Sequence, residues 1–203
     1  MTQIDRQLAN LQTEVELHGR SGSDSIYLRD VQITFPGKDY ALPQGMRETE
    51  VQADLDWFLT CADVGEIVPH QDPYHSFWLM QFGPDAGPYG IGWDLPYVSE
   101  CLQFSEKYRR AVLVNEAGDV PPCVTSYQFH REGQSIHMTV NMRSSDVVGV
   151  LPFDVALSRR LLEVVATSIG CEAQDMTFNL GNAHVLWSDC IHGVDEFTAD
   201  SDY

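Results

Sequence analysis

One stretch, Asn141-Met-Arg-Ser-Ser-Asp-Val-Val-Gly-Val-Leu-Pro-Phe-Asp154, constrains this chain more than any other. Before it, the alternation from Ile136 to Met142 predicts a strand, and after it Phe153 to Ile169 carries the strongest helical pattern, stopped by Gly170. One strand exit and helix start therefore receive an arginine, two hydroxyls and two carboxylates. Arginine beside serine suits phosphate oxygens, which makes Arg143 and Ser144 candidate anion ligands. Asp154 falls in the first turn of the following helix, where a carboxylate can face a ligand. Attraction to the helix dipole explains an acid there equally well.

Ahead of this stretch, Val124 to Arg131 alternates in the same way and joins Ile136 to Met142 through Glu132-Gly133-Gln134-Ser135, a hairpin signal. A hairpin brings Arg143 back towards Cys123, which follows Pro121-Pro122 at a rigid corner. A guanidinium close to a thiol favours the reactive thiolate. The competing reading of Cys123 is a buried structural thiol. Arg109-Arg110 is a second candidate phosphate group, with surface ion pairing as its alternative.

The remaining patterns predict a helix from Ile4 to Leu17, a strand from Ile26 to Phe35 and a helix from Val51 to Leu59 that carries Asp54. Asp54 would ordinarily be a solvated surface acid. Pro69 to Tyr97 is loop-rich and carries Trp78, Phe82, Tyr89 and Trp93, which reads either as a binding surface or as packed core. A helix from Val98 to Lys107, a strand from Ala111 to Val114 and a strand from Met176 to Trp187 complete the set. The last is expected to break at Gly181-Asn182 and carries His184, a type more often structural than catalytic. Strands and helices mix without strict alternation, so the class is α+β or mixed α/β with a large sheet, in one domain over residues 1–203.

Charge narrows the function classes. A net charge of −18 argues against a general basic surface for nucleic acid, so any phosphate must be met by a few of the 12 Lys+Arg. The acidic end, about residues 192–203, reads as a solvated, disordered tail. No apolar run is long enough to span a membrane, and Met1 to Gly19 lacks a signal-peptide pattern, so a cytoplasmic protein is expected. Five widely spaced cysteines, none in a CxxC pair, suggest reduced thiols without a disulfide framework or zinc site.

In this order the motifs resemble the thymidylate synthase superfamily and are most similar to its deoxycytidylate hydroxymethylase branch. The resemblance rests on Pro121-Pro122-Cys123, Asn141 to Val148, Pro152-Phe153-Asp154, Asp54 to Leu59, Gly87-Pro88-Tyr89-Gly90, Tyr108-Arg109-Arg110 and Arg20-Ser21-Gly22-Ser23. It implies a large twisted mixed sheet with flanking helices, in a homodimer formed through the sheet.

It also implies a pyrimidine nucleoside monophosphate as substrate and 5,10-methylenetetrahydrofolate as one-carbon donor, with Trp78 and Tyr89 on the cofactor side. Cys123 would add to C6 of the base, and Asp54 matches an acid that organises proton transfers. Arg20, Arg143 and Ser144 would hold the 5′-phosphate, with Arg109 and Arg110 reaching across the dimer. Asp146 would contact the pyrimidine and His184 the sugar. Uracil-specific members carry Asn at the position of Asp154; a protonated carboxyl instead donates to cytosine N3 and accepts from N4–H. The resemblance thus implies a dCMP or CMP C5 hydroxymethyltransferase, with a (d)CMP methyltransferase or a non-catalytic nucleotide binder as alternatives.

The pattern departs from the family in three places. His184-Val185-Leu186 replaces a His-x-Tyr, which leaves ribose against deoxyribose open. Val124 replaces a His after the nucleophile. With the chain ending at Tyr203, the segment that closes over folate is expected to be absent, and a more open site would admit water.

Overall fold

A computed structural model describes residues 1–38, 40–83, 88–115 and 122–191. Pro121, Gly87 and the acidic tail 192–203, all named above, lie outside the described residues. Five α-helices occur there: α1 (Gln3–His18), α2 (Glu48–Val64), α3 (Phe77–Phe82), α4 (Leu95–Phe104) and α5 (Leu151–Ser168). The strands are β1 (Arg20–Ser21), β2 (Ser25–Phe35), β3 (Val112–Val114), β4 (Val124–Glu132), β5 (Ser135–Met142), β6 (Ser145–Asp146) and β7 (Glu172–Leu186).

The strands form one mixed sheet in the order β1-β2-β7-β5-β4-β3, with β6 pairing beside β7. β4 and β5 are the expected antiparallel hairpin, and β5 pairs parallel with β7. A parallel pair needs a crossover, and α5 supplies it. The helix buries Phe153, Leu157, Leu161 and Val165. On the sheet's inner side, Phe129, Met138, Val140 and Phe178 join them in the same core. Fully burying each such side chain contributes about 1.5–3 kcal/mol, an upper bound for a compact unfolded chain.

On the opposite face the inward–outward alternation exposes a polar row. Gln32 donates to Asn179, Asn179 to Asn141 and Asn141 to Ser126, at 2.9, 3.0 and 3.1 Å, so one amide chain crosses β2, β7, β5 and β4.

The 69–97 stretch is loop-rich as expected but also holds α3, capped by Ser76 Oγ accepting from the Leu79 amide, and the first residues of α4. Two expectations are corrected. α4 starts at Leu95 rather than Val98, because Asp94 caps the Tyr97 amide and Pro96 suits a first turn. β7 is unbroken through Gly181 and Asn182. A Cβ at Gly181 would stand 2.9 Å from the Arg143 carbonyl oxygen, so this glycine marks a close approach of backbones and not a chain break.

Candidate active site

The hairpin does what its spacing predicts. The Arg143 amide donates to the Cys123 carbonyl at 2.9 Å, which places the two side by side at the open end of β4 and β5. Arg143 Nη2 lies 3.9 Å from Cys123 Sγ, while its Nε donates to the Pro122 carbonyl at 3.2 Å and its Nη1 to Ser144 Oγ at 3.3 Å. Burial pushes the Cys123 thiol up, and Asp154, once ionised, pushes it further; Arg143 and Ser144 pull it down.

Asp154 is 1% exposed, and neither carboxyl oxygen has a partner among the described residues. An acid that merely capped the helix would bond to first-turn amides, and this one does not. Burial alone raises its pKa to about 8, so the carboxyl is neutral near pH 7. A neutral carboxyl offers one donor and one acceptor side by side.

Asp146 shapes the turn into α5. Its Oδ1 accepts from the Val148 and Gly149 amides, both at 3.0 Å. His184 sits beside it on β7, paired with Asp146 and, on the other side, with Tyr27 of β2.

Asp54 is fully buried and surrounded by partners from one segment. It accepts from Ser76 Oγ, from the Trp78 amide at 3.0 Å and from His70 Nε2 at 3.2 Å. The Asp72 amide donates to His70 Nδ1, so Nε2 carries the hydrogen. Burial raises the Asp54 pKa against the pull of these donors. In its contacts, Asp54 anchors residues 70–78 to α2.

That anchor sets an aromatic wall. Trp78 packs on Tyr89 and Phe58 at 4.5 and 5.2 Å, and Phe77 stacks on Phe153 at 4.4 Å. The Tyr89 hydroxyl accepts from the Val124 amide at 3.3 Å, beside Cys123. Trp78 Nε1 is buried with no partner among the described residues, and Met80 and Phe82 stand exposed at the rim.

Cys123, Arg143, Ser144, Asp154 and Tyr89 are therefore brought together. Arg20, Arg109 and Arg110 are not: they are exposed and make no ion pair among the described residues, although Arg110 lies over the Tyr108 ring. The sequence reading overlooked His70, Ser76, Tyr127 and Ser158. For Ser158 the signal existed, since it lies one helical turn after Asp154.

Residues 105–198 match the thymidylate synthase family. That match, over a little under half of the chain, supports a relationship to thymidylate synthases. The match includes Arg109, Arg110, Cys123, Arg143, Ser144, Asp146, Asp154 and His184 and leaves Arg20, Asp54, Trp78 and Tyr89 outside it. The chain is 27% identical over 133 residues to a thymidylate synthase of Haloferax volcanii, covering 55% of this chain and 39% of that protein. It is 28% identical over 123 residues to a thymidylate synthase of Symbiobacterium thermophilum, covering 55% of this chain and 44% of the relative. The chain thus spans less than half the length of the curated relatives it matches. The mixed open sheet with flanking helices is consistent with the thymidylate synthase fold. Among the described residues, no helix is long and apolar enough to cross a membrane.

Proposed function

We propose that this protein transfers a one-carbon unit to C5 of a cytidine or deoxycytidine monophosphate and releases the hydroxymethyl product. The observation that carries the reading is Asp154, a buried carboxyl held neutral near pH 7 with both oxygens unpartnered among the described residues. Its donor and acceptor complement N3 and N4–H of cytosine. With the proton on the oxygen that faces N3, the same pair meets a donor with a donor in uracil.

Cys123 adds to C6 of the base. Arg143 and Ser144 hold the 5′-phosphate and ease formation of the thiolate. Asp146 fixes the turn that presents Asp154, and His184 faces the sugar. Asp54, expected among the catalytic groups, is read here as the residue that keeps Trp78 in place.

For methylenetetrahydrofolate, the fit rests on the aromatic wall: Trp78 Nε1, without a partner among the described residues, and the exposed apolar Met80 and Phe82 suit a flat heterocycle with polar edges. Trp78 and Tyr89 would hold it. When bound, it supplies the one-carbon unit.

A second reading, transfer of a methyl group, is favoured by the two relatives, both of them thymidylate synthases. Mass spectrometry of the product separates the two. A nucleotide heavier by CH₂O is expected, and one heavier by CH₂ would overturn the hydroxymethyl reading.

The exposed polar row from Gln32 to Ser126 is where a second copy would pair, as the resemblance implies, with Arg109 and Arg110 reaching the partner's phosphate. Arg109→Ala and Cys123→Ser variants should each be inactive alone. Mixed after denaturation and refolding, they should regain about a quarter of wild-type activity through hybrids with one intact site. No recovery would count against shared sites.

A further inference from the structure

Asp154 is not the only unmet polar group in its part of the interior. Ser158 lies four residues further along α5, the spacing that stacks side chains on one helix face. Tyr127 reaches the same place from β4. Its ring is fully buried, edge-on to Trp93 at 5.5 Å, and its hydroxyl lies among Asn115, Ser158 and Asp154.

The Tyr127 hydroxyl, Ser158 Oγ and both Asp154 oxygens are buried. Among the described residues none of these atoms has a partner at hydrogen-bond geometry, although Asn115 and Ser158 lie close enough to the Tyr127 hydroxyl to pull its pKa down. Asn115 is already engaged: its Oδ1 accepts from Trp93 Nε1 at 2.7 Å and its Nδ2 donates to the Val124 carbonyl at 2.8 Å. Buried polar atoms are almost always met, by one another, by water or by a ligand. Four such atoms, converging from a helix face and the strand opposite, form a cluster with one ligand-facing member and two hydroxyls around it.

We propose that Tyr127 and Ser158 are positioning residues for Asp154. The Tyr127 hydroxyl, directly or through a water shared with Ser158, donates to one carboxyl oxygen and thereby leaves the proton on the other.

The inference rests on the reading of Asp154 as the group that recognises cytosine, and it explains how one orientation is chosen. A free carboxylic acid can carry its proton on either oxygen. Only one arrangement sets the O–H against N3 and the carbonyl oxygen against N4–H. A donor fixed on one oxygen makes that oxygen the carbonyl, so Tyr127 selects the arrangement before the nucleotide arrives. The titratable groups facing Asp154 are Cys123 ahead of β4, Tyr127 on β4 and Tyr89 beside Val124. Arg143, at the end of β5, lies against Cys123.

The sign of the effect follows from the donor. A hydroxyl donating to a carboxyl favours its ionised form, so deleting the hydroxyl moves the Asp154 titration upward. In ligand-free protein that titration can be followed by the protonated-carboxyl infrared band, taken as a difference against Asp154→Asn. Tyr127→Phe is expected to raise the midpoint by about half a pH unit or more, and Ser158→Ala to raise it by less. Phe keeps the ring packed on Trp93, and near-ultraviolet circular dichroism checks that the core is intact. Unchanged midpoints in both variants would overturn the proposal, whatever nucleotide the protein uses.

The second arm measures equilibrium binding of CMP and UMP. Tyr127→Phe should weaken CMP about tenfold more than UMP, the effect of one lost hydrogen bond. Equal losses on both nucleotides would return Tyr127 to a packing role and overturn the proposal. A wild-type protein without preference for CMP would sink the cytosine reading itself, while the infrared arm still decides the tie between Tyr127 and Asp154.

Discussion

Cys123→Ser is expected to abolish turnover, by on the order of 10⁴-fold or more, while nucleotide binding stays near its wild-type level. The expectation follows from the division of labour at the hairpin's open end. Arg143 meets the Pro122 carbonyl, Ser144 and the thiol, so removing the sulfur leaves the arginine in place for the phosphate. A serine hydroxyl there gains little from a guanidinium, because its own pKa lies far above that of a thiol. Release of tritium from C5 of labelled nucleotide, measured beside calorimetric binding, checks both halves. Retained release would place the nucleophile elsewhere; lost binding would make Cys123 a structural thiol. In the resting protein, burial keeps this thiol protonated against the pull of Arg143 and Ser144.

Asp154→Asn should reverse base preference, changing the cytosine-to-uracil ratio of kcat/KM by on the order of 10⁴-fold. With its oxygen facing N3 and its nitrogen facing C4, an amide accepts from uracil N3–H, donates to O4 and mismatches cytosine N4–H. Competition between CMP and UMP measures the ratio, and an unchanged ratio would reduce Asp154 to a buried acid without a reading role.

The same variant carries a stability signature. The folded pKa of about 8 lies above the unfolded value, so the folded state holds the proton more tightly. This contribution is fully present below the ordinary aspartate range and is lost as pH rises towards 8. The loss between about pH 4 and pH 7 is on the order of 4 kcal/mol. Asp154→Asn removes that slope, so urea unfolding of the two proteins should converge or cross with rising pH. Parallel curves would mean that Asp154 is charged in the fold.

The main elements were legible in the sequence where one local signal sufficed. The hairpin from Val124 to Met142 has alternation and a turn, and α5 has periodicity and the Gly170 stop. α3 escaped because six residues are too few for a period, and what holds it is remote: Asp54, on α2, accepts from the Ser76 hydroxyl and the Trp78 amide. β7 was expected to break at Gly181 because a strand glycine marks a bulge and a close backbone approach alike; only the position of Arg143 distinguishes them.

For the site, chain order was enough to suggest Cys123, Arg143 and Asp154. It could not suggest Tyr127 and Ser158, because their convergence depends on strand-to-helix packing. Nor could it reveal that Asp54 is held by three partners between residues 70 and 78.

Those three hydrogen bonds all end on one carboxylate, and this gives the aromatic wall its mode of motion. Residues 71–75 are exposed on the outside of the segment, so it is restrained by Asp54, by His70 against Trp57 and by the packing of Phe77 and Trp78. A stretch tied at so few points does not fray residue by residue. It opens as a cooperative unit, and solvent exchange at the Trp78 amide marks the opening of the whole panel.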